Sequence, residues 1–361
     1  MAIEIYDVSA TLNNMVAMDQ LKYQIEKDAT ITTDLISFDP IRVGFDPNGL
    51  QIEFVAPLAA PEKTALDALV AAHDGAGLTL QYSVQNKGEG IQHFETIYDA
   101  LDAVTIYGTV TVPAQIITLT DTVTIPSYVL VRGEYGFDTT DIHVPFTDKP
   151  AFILSDNAKL EGVSIKYPDS TFPCVQYSGN VFAHCRDILL YGGTASSRGF
   201  LNDGLGALTL EGITHSSGDA DKVITNASGQ IQCQRFSLLS GNVFAAFFSD
   251  GGNLVVNAAA IAGLASVNYG MIINKQSEVD IGMVDFKFAD KSFCYRNKKS
   301  KFRCRAGEAK GVTNSIEIDP LAYPYDPEGE FRFNGILDSS NISAPVGWDV
   351  DPKTTLDTMP F

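Results

Sequence analysis

The chain is short of several things, and each shortage removes a class of function. Of 361 residues only 25 are Lys or Arg, against 44 Asp or Glu, for a net charge of −19. A chain this acidic repels phosphate backbones and anionic lipid, so neither nucleic acid nor a membrane surface is the expected partner. No apolar run approaches the ~18 residues that a membrane-spanning helix needs. The five cysteines, Cys174, Cys185, Cys233, Cys294 and Cys304, are odd in number and form no CxxC pair, which argues against a disulfide framework or a zinc site. The histidines show neither HExxH nor HxxxH spacing, and there is no Gly-rich phosphate loop or nucleophile elbow. No cofactor or metal is expected, and no residue stands out as catalytic. The start, Met1-Ala2-Ile3-Glu4-Ile5-Tyr6-Asp7, lacks the basic and apolar stretches of a signal peptide.

What the chain does have is aromatic residues (21 Phe, 14 Tyr), a mean hydropathy of +0.04 and a repeat. Segments begin at Pro126, Asp156, Asn180, Gly206, Gly229, Gly252, Ser277, Ser300 and Gly329, at spacings of 30, 24, 26, 23, 23, 25, 23 and 29. The third and fifth positions pair Tyr128 with Leu130, Ala158 with Leu160, Phe182 with His184, and Leu208 with Leu210. The pairs continue with Ile231 and Cys233, Leu254 and Val256, Val279 and Ile281, Phe302 and Cys304, and Phe331 and Phe333. All but His184 are apolar, aromatic or cysteine, and alternation at period two puts each pair on one strand face. A second apolar strand follows after a bend (Val163, Ile213, Phe236, Val284, Ile336), and a third precedes most segments. A period near 25 built on strands predicts a solenoid of about nine coils, a parallel β-helix. A β-propeller blade needs about 40 residues. Ahead of it, Phe94–Val104 reads as an amphipathic helix that covers the first coil's open edge.

Residues 1–88 do not follow the repeat and read as a small α+β module. Met18–Lys27 is a candidate helix or strand. Ile41–Phe45 and Leu50–Val55 are predicted strands joined by a turn at Asp46-Pro47-Asn48-Gly49. Pro61–His73 is a predicted helix. The organisation expected is a module over 1–88, a solenoid over 92–340 and a C-terminal tail over 341–361.

Four motifs in the solenoid resemble a known family. They are Thr96-Ile97-Tyr98-Asp99-Ala100-Leu101, Val123-Thr124-Ile125-Pro126, Leu130-Val131-Arg132-Gly133, and the matching turns Leu160-Glu161-Gly162-Val163 and Leu210-Glu211-Gly212-Ile213. With them, residues 92–340 resemble the pectate-lyase-like right-handed parallel β-helix superfamily, and within it phage tailspikes and related virion proteins. Phe54-Val55-Ala56-Pro57-Leu58 and the helix after it look like an N-terminal module of phage virion proteins, which implies docking on the particle. The superfamily holds lyases, hydrolases and proteins without catalysis, so the likeness speaks to fold more than to activity.

The repeat register sorts the candidate sites. Glu278, Lys301 and Glu330 share one outward position, and Asp280, Arg303 and Arg332 the next, an expected ion-pair ladder. The equivalent positions of the middle coils are nearly uncharged: Val181 and Ala183, Ala207 and Thr209, Gln230 and Gln232, Asn253 and Val255. A strand face without charge over four coils is expected to be covered, most simply by sister subunits of a homotrimer. Cys233 and Cys304 read as core thiols and His184 as a satisfied core histidine. Glycan hydrolysis needs two carboxyls about 5–10 Å apart. Asp156, Glu161, Asp169, Asp187, Asp203, Glu211, Asp219, Asp221, Asp250, Asp285 and Asp290 are scattered candidates, and Asp219 and Asp221 lie in a turn that Asp203 or Asp250 can approach. The set of acids and a base used by pectate-type lyases is not supplied by the outward central positions.

The expectation is therefore a structural component of a tailed bacteriophage virion: a spike, short fibre or capsid decoration protein, assembled in the host cytoplasm. Its module would dock on the particle and its β-helix would project. The alternative is a tailspike depolymerase that binds and cleaves host surface polysaccharide, and the third reading is a free lyase or hydrolase.

Overall fold

The computed structural model describes residues 2–6, 21–22, 25, 28–43, 46–72, 81–137, 139–167, 170–296, 301–309, 314–318, 330–333, 336–337 and 342–343. Two compact units divide the chain, Met1–Tyr82 with Pro113–Gln115, and Ser83–Val112 with Ile116–Phe361.

In the first unit Asp46–Phe54 pairs antiparallel with both Ala2–Tyr6 and Leu35–Val43. The expected turn at 46–49 is strand instead, since Ile41 pairs with Gly49 and Val43 with Asp46. The helix Ala60–Ala72 packs Leu66 against Leu21, Ile25, Ile52 and Phe54, all buried. Glu62, in its first turn, accepts hydrogen bonds from the Ala59 N–H (2.8 Å) and from the N–H and hydroxyl groups of Thr32 and Thr33. Those donors, Ala59 foremost, favour the carboxylate and hold its pKa down at about 2.

The second unit is a parallel β-helix of three stacked sheets. Each of the nine expected segments supplies one strand of the first sheet, and Thr109–Val112 precedes them. Its inward ladder runs Val110, Val131, Leu160, Cys185, Leu210, Cys233, Val256, Ile281, Cys304, each paired with the next. The second sheet's ladder runs Ile117, Ile142, Ile165, Leu190, His215, Leu238, Ile261. The third runs Val123, Phe152, Val175, Phe200, Ile224, Phe247, Met271, Phe293. Every member of these two ladders is buried. The first corner needs a left-handed residue, and it finds Gly162 (φ 63°), Asp187 (φ 52°) and Gly212 (φ 66°) on successive coils. A Cβ at Gly212 would run into Asp187 Oδ1. This explains the recurring Leu-Glu-Gly turn. At the third corner Asn202 Nδ2 donates to Gln230 O (2.8 Å) and Asn226 Nδ2 to Asn253 O (3.0 Å), so buried amides tie coil to coil.

All five cysteines are free and buried. Burial pushes the Cys233 thiol up to about 12, so it is a small core hydrophobe with little thiolate.

Two segments sit one residue out of the expected register. At Pro126 the buried pair is Val129 and Val131, leaving Tyr128 exposed; at Asn180 it is Ala183 and Cys185, leaving Phe182 exposed. His184 faces outward with Lys159 and Thr209. The core histidine is His215. Its Nε2–H donates to Gly218 O (3.1 Å), and Nδ1 lies 3.3 Å from Tyr167 Oη, so the ring is satisfied when neutral. Burial, opposed by the bond to Gly218, lowers its pKa. The unfolded chain then binds the proton more readily. Stability is whole above the unfolded value of about 6.5 and falls as pH drops below it, by up to about 1.4 kcal/mol per unit. His184, also lowered by burial, adds to the same slope. Urea unfolding at pH values about one unit either side of 6.5 should give a shallower dependence in His215→Gln than in the parent. An equal slope would contradict the assignment.

Candidate functional site on the outer face of the first sheet

The shift of register changes what the outer face of the first sheet presents. One column now begins with Tyr107, Tyr128, Asn157 and Phe182, continues through Ala207, Gln230 and Asn253, and only then reaches Glu278, Lys301 and Glu330. The next column passes through Lys159, His184, Thr209, Gln232 and Val255 to Asp280, Arg303 and Arg332. Six of the eight residues expected on this face are there and half-buried: Ala207, Thr209, Gln230, Gln232, Asn253 and Val255. Ala183 is not, because the pairing of Cys185 with both Leu160 and Leu210 turns it inward, where it is fully buried. Val181 is exposed, but at the corner ahead of the column.

The uncharged stretch is therefore longer than four coils and richer in apolar surface. Ile106, Tyr107, Tyr128, Val181, Phe182 and Leu205 are all exposed along this edge, Leu205 by 78% and Tyr107 by 65%. Scattered surface apolar residues are ordinary, whereas a contiguous run marks an interaction surface. Tyr107 and Tyr128 also hold left-handed backbones (φ 65° and 64°), at about 1–3 kcal/mol each for a bulky side chain. Their rings meet at 5.2 Å between centroids, tilted by 57°.

Beside the apolar edge runs a charged column, Arg132, Glu161, Arg186 and Glu211. Arg186 Nη2 lies 2.8 Å from Glu161 Oε2. His184 Nε2 lies 3.7 Å from Glu211 Oε2 and makes no hydrogen bond. The ladder expected further along keeps its register, but Asp280 pairs with Arg305 (2.9 Å), two residues beyond Arg303.

The turn carboxylates are engaged in coil-to-coil ties. Asp156 accepts from Tyr177 Oη (2.7 Å), Asn180 N and Val181 N; those bonds, Tyr177 first, lower its pKa. Asp203 accepts from Ser178 and Gln176, and Asp219 from Asn242. Asp221 pairs with Arg198, and Asp250 with Lys275. Among the described residues no group of three His, Cys, Asp or Glu is placed to hold a metal, and no helix is long and apolar enough to cross a membrane. No protein-family model, curated protein or solved structure matches this chain.

Proposed function

We propose that this chain is a structural component of a tailed-bacteriophage particle, a spike, short fibre or capsid decoration protein, built as a homotrimer around the outer face of the first sheet. The observation that carries the trimer is the column from Tyr107 to Asn253, uncharged throughout in a protein of net charge −19. Buried against sister copies, it would desolvate no ion. Three features support the phage reading: the parallel β-helix, the separate compact unit ahead of it, and the motifs from Thr96 to Gly133.

A second reading is favoured by one observation. Glu161 and Glu211 lie two strand spacings apart, about 9.6 Å, on the face that also carries the paired tyrosines. That strand spacing stands at the upper limit of the roughly 6.5–9.5 Å carboxyl separation of an inverting glycosidase, so the same face would suit a polysaccharide depolymerase. The two readings use one surface in incompatible ways, and native mass separates them. Light scattering before and after mild SDS should give three times 39.0 kDa, a trimer of 117 kDa. A monomer would sink the trimeric spike and leave the face free for glycan.

A further inference from the structure

We propose that Asp141, His143 and Tyr191, on the outer face of the second sheet, form a binding site for a borderline divalent cation, Cu²⁺ or Zn²⁺. The strand Asp141–His143 lies between Ile116–Thr118 and Ser164–Lys166, paired in parallel on both sides. Ile142 points into the core and is fully buried, so alternation sends Asp141 and His143 outward together. Tyr191 ends the strand Phe182–Tyr191 in the column of His143 and Lys166.

Three different donors converge there. His143 Nε2 is 3.4 Å from Asp141 Oδ2 and 3.0 Å from Tyr191 Oη, and the Tyr191 hydroxyl donates to Asp141 Oδ1. Tetrahedral bonds of 2.0–2.1 Å to nitrogen and oxygen require donors about 3.3–3.4 Å apart. The two distances to Nε2 are thus close to two edges of such a polyhedron before any cation enters. About a third of the His143 and Asp141 side chains is exposed (33% and 30%), leaving a position open to water. Imidazole with carboxylate and phenol suits Cu²⁺ and Zn²⁺, and suits Mg²⁺ or Ca²⁺ poorly.

Without a cation the three groups form a closed hydrogen-bond set, which keeps them in place. Burial, then the bond to Asp141, raises the Tyr191 pKa. Binding places the imidazole proton on Nδ1, and where Tyr191 ligates as phenolate its proton passes to water. The exposed Lys166 stands in the same column, its stem beside Gly192, and opposes a cation.

The probe is Cu²⁺ alone, titrated into the full chain with calorimetric and visible-absorption readouts, followed by competition with Zn²⁺. One equivalent is expected, with a tyrosinate-to-copper absorption band. His143→Ala and Asp141→Ala should each weaken binding by at least the about 10- to 100-fold that even an outer-shell partner is worth. Tyr191→Phe should abolish the band while preserving the far-UV spectrum. Loss of affinity in Lys166→Ala, or stoichiometry and affinity unchanged in His143→Ala, would overturn the site. Equally tight Mg²⁺ binding would do the same.

Discussion

Phe247→Ala is expected to destabilise the β-helix by about 3–5 kcal/mol. Phe247 is fully buried on the third sheet's ladder. Its ring lies 4.9 Å from that of Phe236 and 6.2 Å from that of Phe286; Phe286 meets Phe293 at 5.5 Å, and Phe293 meets Phe302 at 4.9 Å. The aromatic chain crosses the core between sheets, so the cavity would open where flanking coils, locked by pairing on both sides, cannot collapse into it. Coils interact with nearest neighbours only, so damage in one weakens its junctions and leaves distant coils intact. Guanidinium unfolding followed by far-UV circular dichroism should show a lower midpoint and a broadened or split transition. A single transition shifted by less than about 1 kcal/mol would mean that the site relaxes freely.

Ala207→Lys is expected to dissociate the proposed trimer while leaving the coil intact. Ala207 is half-buried between Phe182 and Gln230 in the uncharged column. Three ammonium groups brought to one interface lose water without gaining a partner, at several kcal/mol each. A dissociation constant weakened at least about 10³-fold follows, since each 1.4 kcal/mol is tenfold. Ser266→Lys, at an exposed position of the strand Gly252–Ile273, is the control and should stay trimeric. Sedimentation velocity at matched concentrations reads both. If Ala207→Lys and the parent sediment alike, the face is not an interface.

The architecture is legible because inward positions recur at a fixed offset: of the eight segments whose burial is described, six keep the expected register. The two exceptions carry their own signal in the spacing. Starting those segments at Ser127 and Val181 changes the spacings around them to 29, 25 and 25, more even than 30, 24 and 26. At the Asn180 segment the pairing of Cys185 with Leu160 and Leu210 turns Ala183 inward and Phe182 out, a one-residue slip that exchanges the two faces of the strand. That one-residue slip hid the tyrosine pair and His184 from the surface. The ties made by the turn acids, and the meeting of Asp141 with Tyr191 from strands two coils apart, depend on coil-to-coil geometry that linear spacing does not encode. In the first unit, Asn48-Gly49 matched turn chemistry but lies in a strand, because pairing of Leu35–Val43 with Asp46–Phe54 overrode local preference.

The strand Tyr82–Gln85 lies antiparallel on Thr109–Val112, Val84 opposite Val110, both buried. Every other pairing in the solenoid among the described residues is parallel, so this strand runs against the grain. The hydrogen-bonding groups on that side of the first sheet are taken by a four-residue strand of the wrong direction. A second chain arriving there finds no template on which another coil can be laid. In crystal-growth language the stack carries a poisoned face at its beginning, and head-to-tail elongation into fibres is blocked at its source.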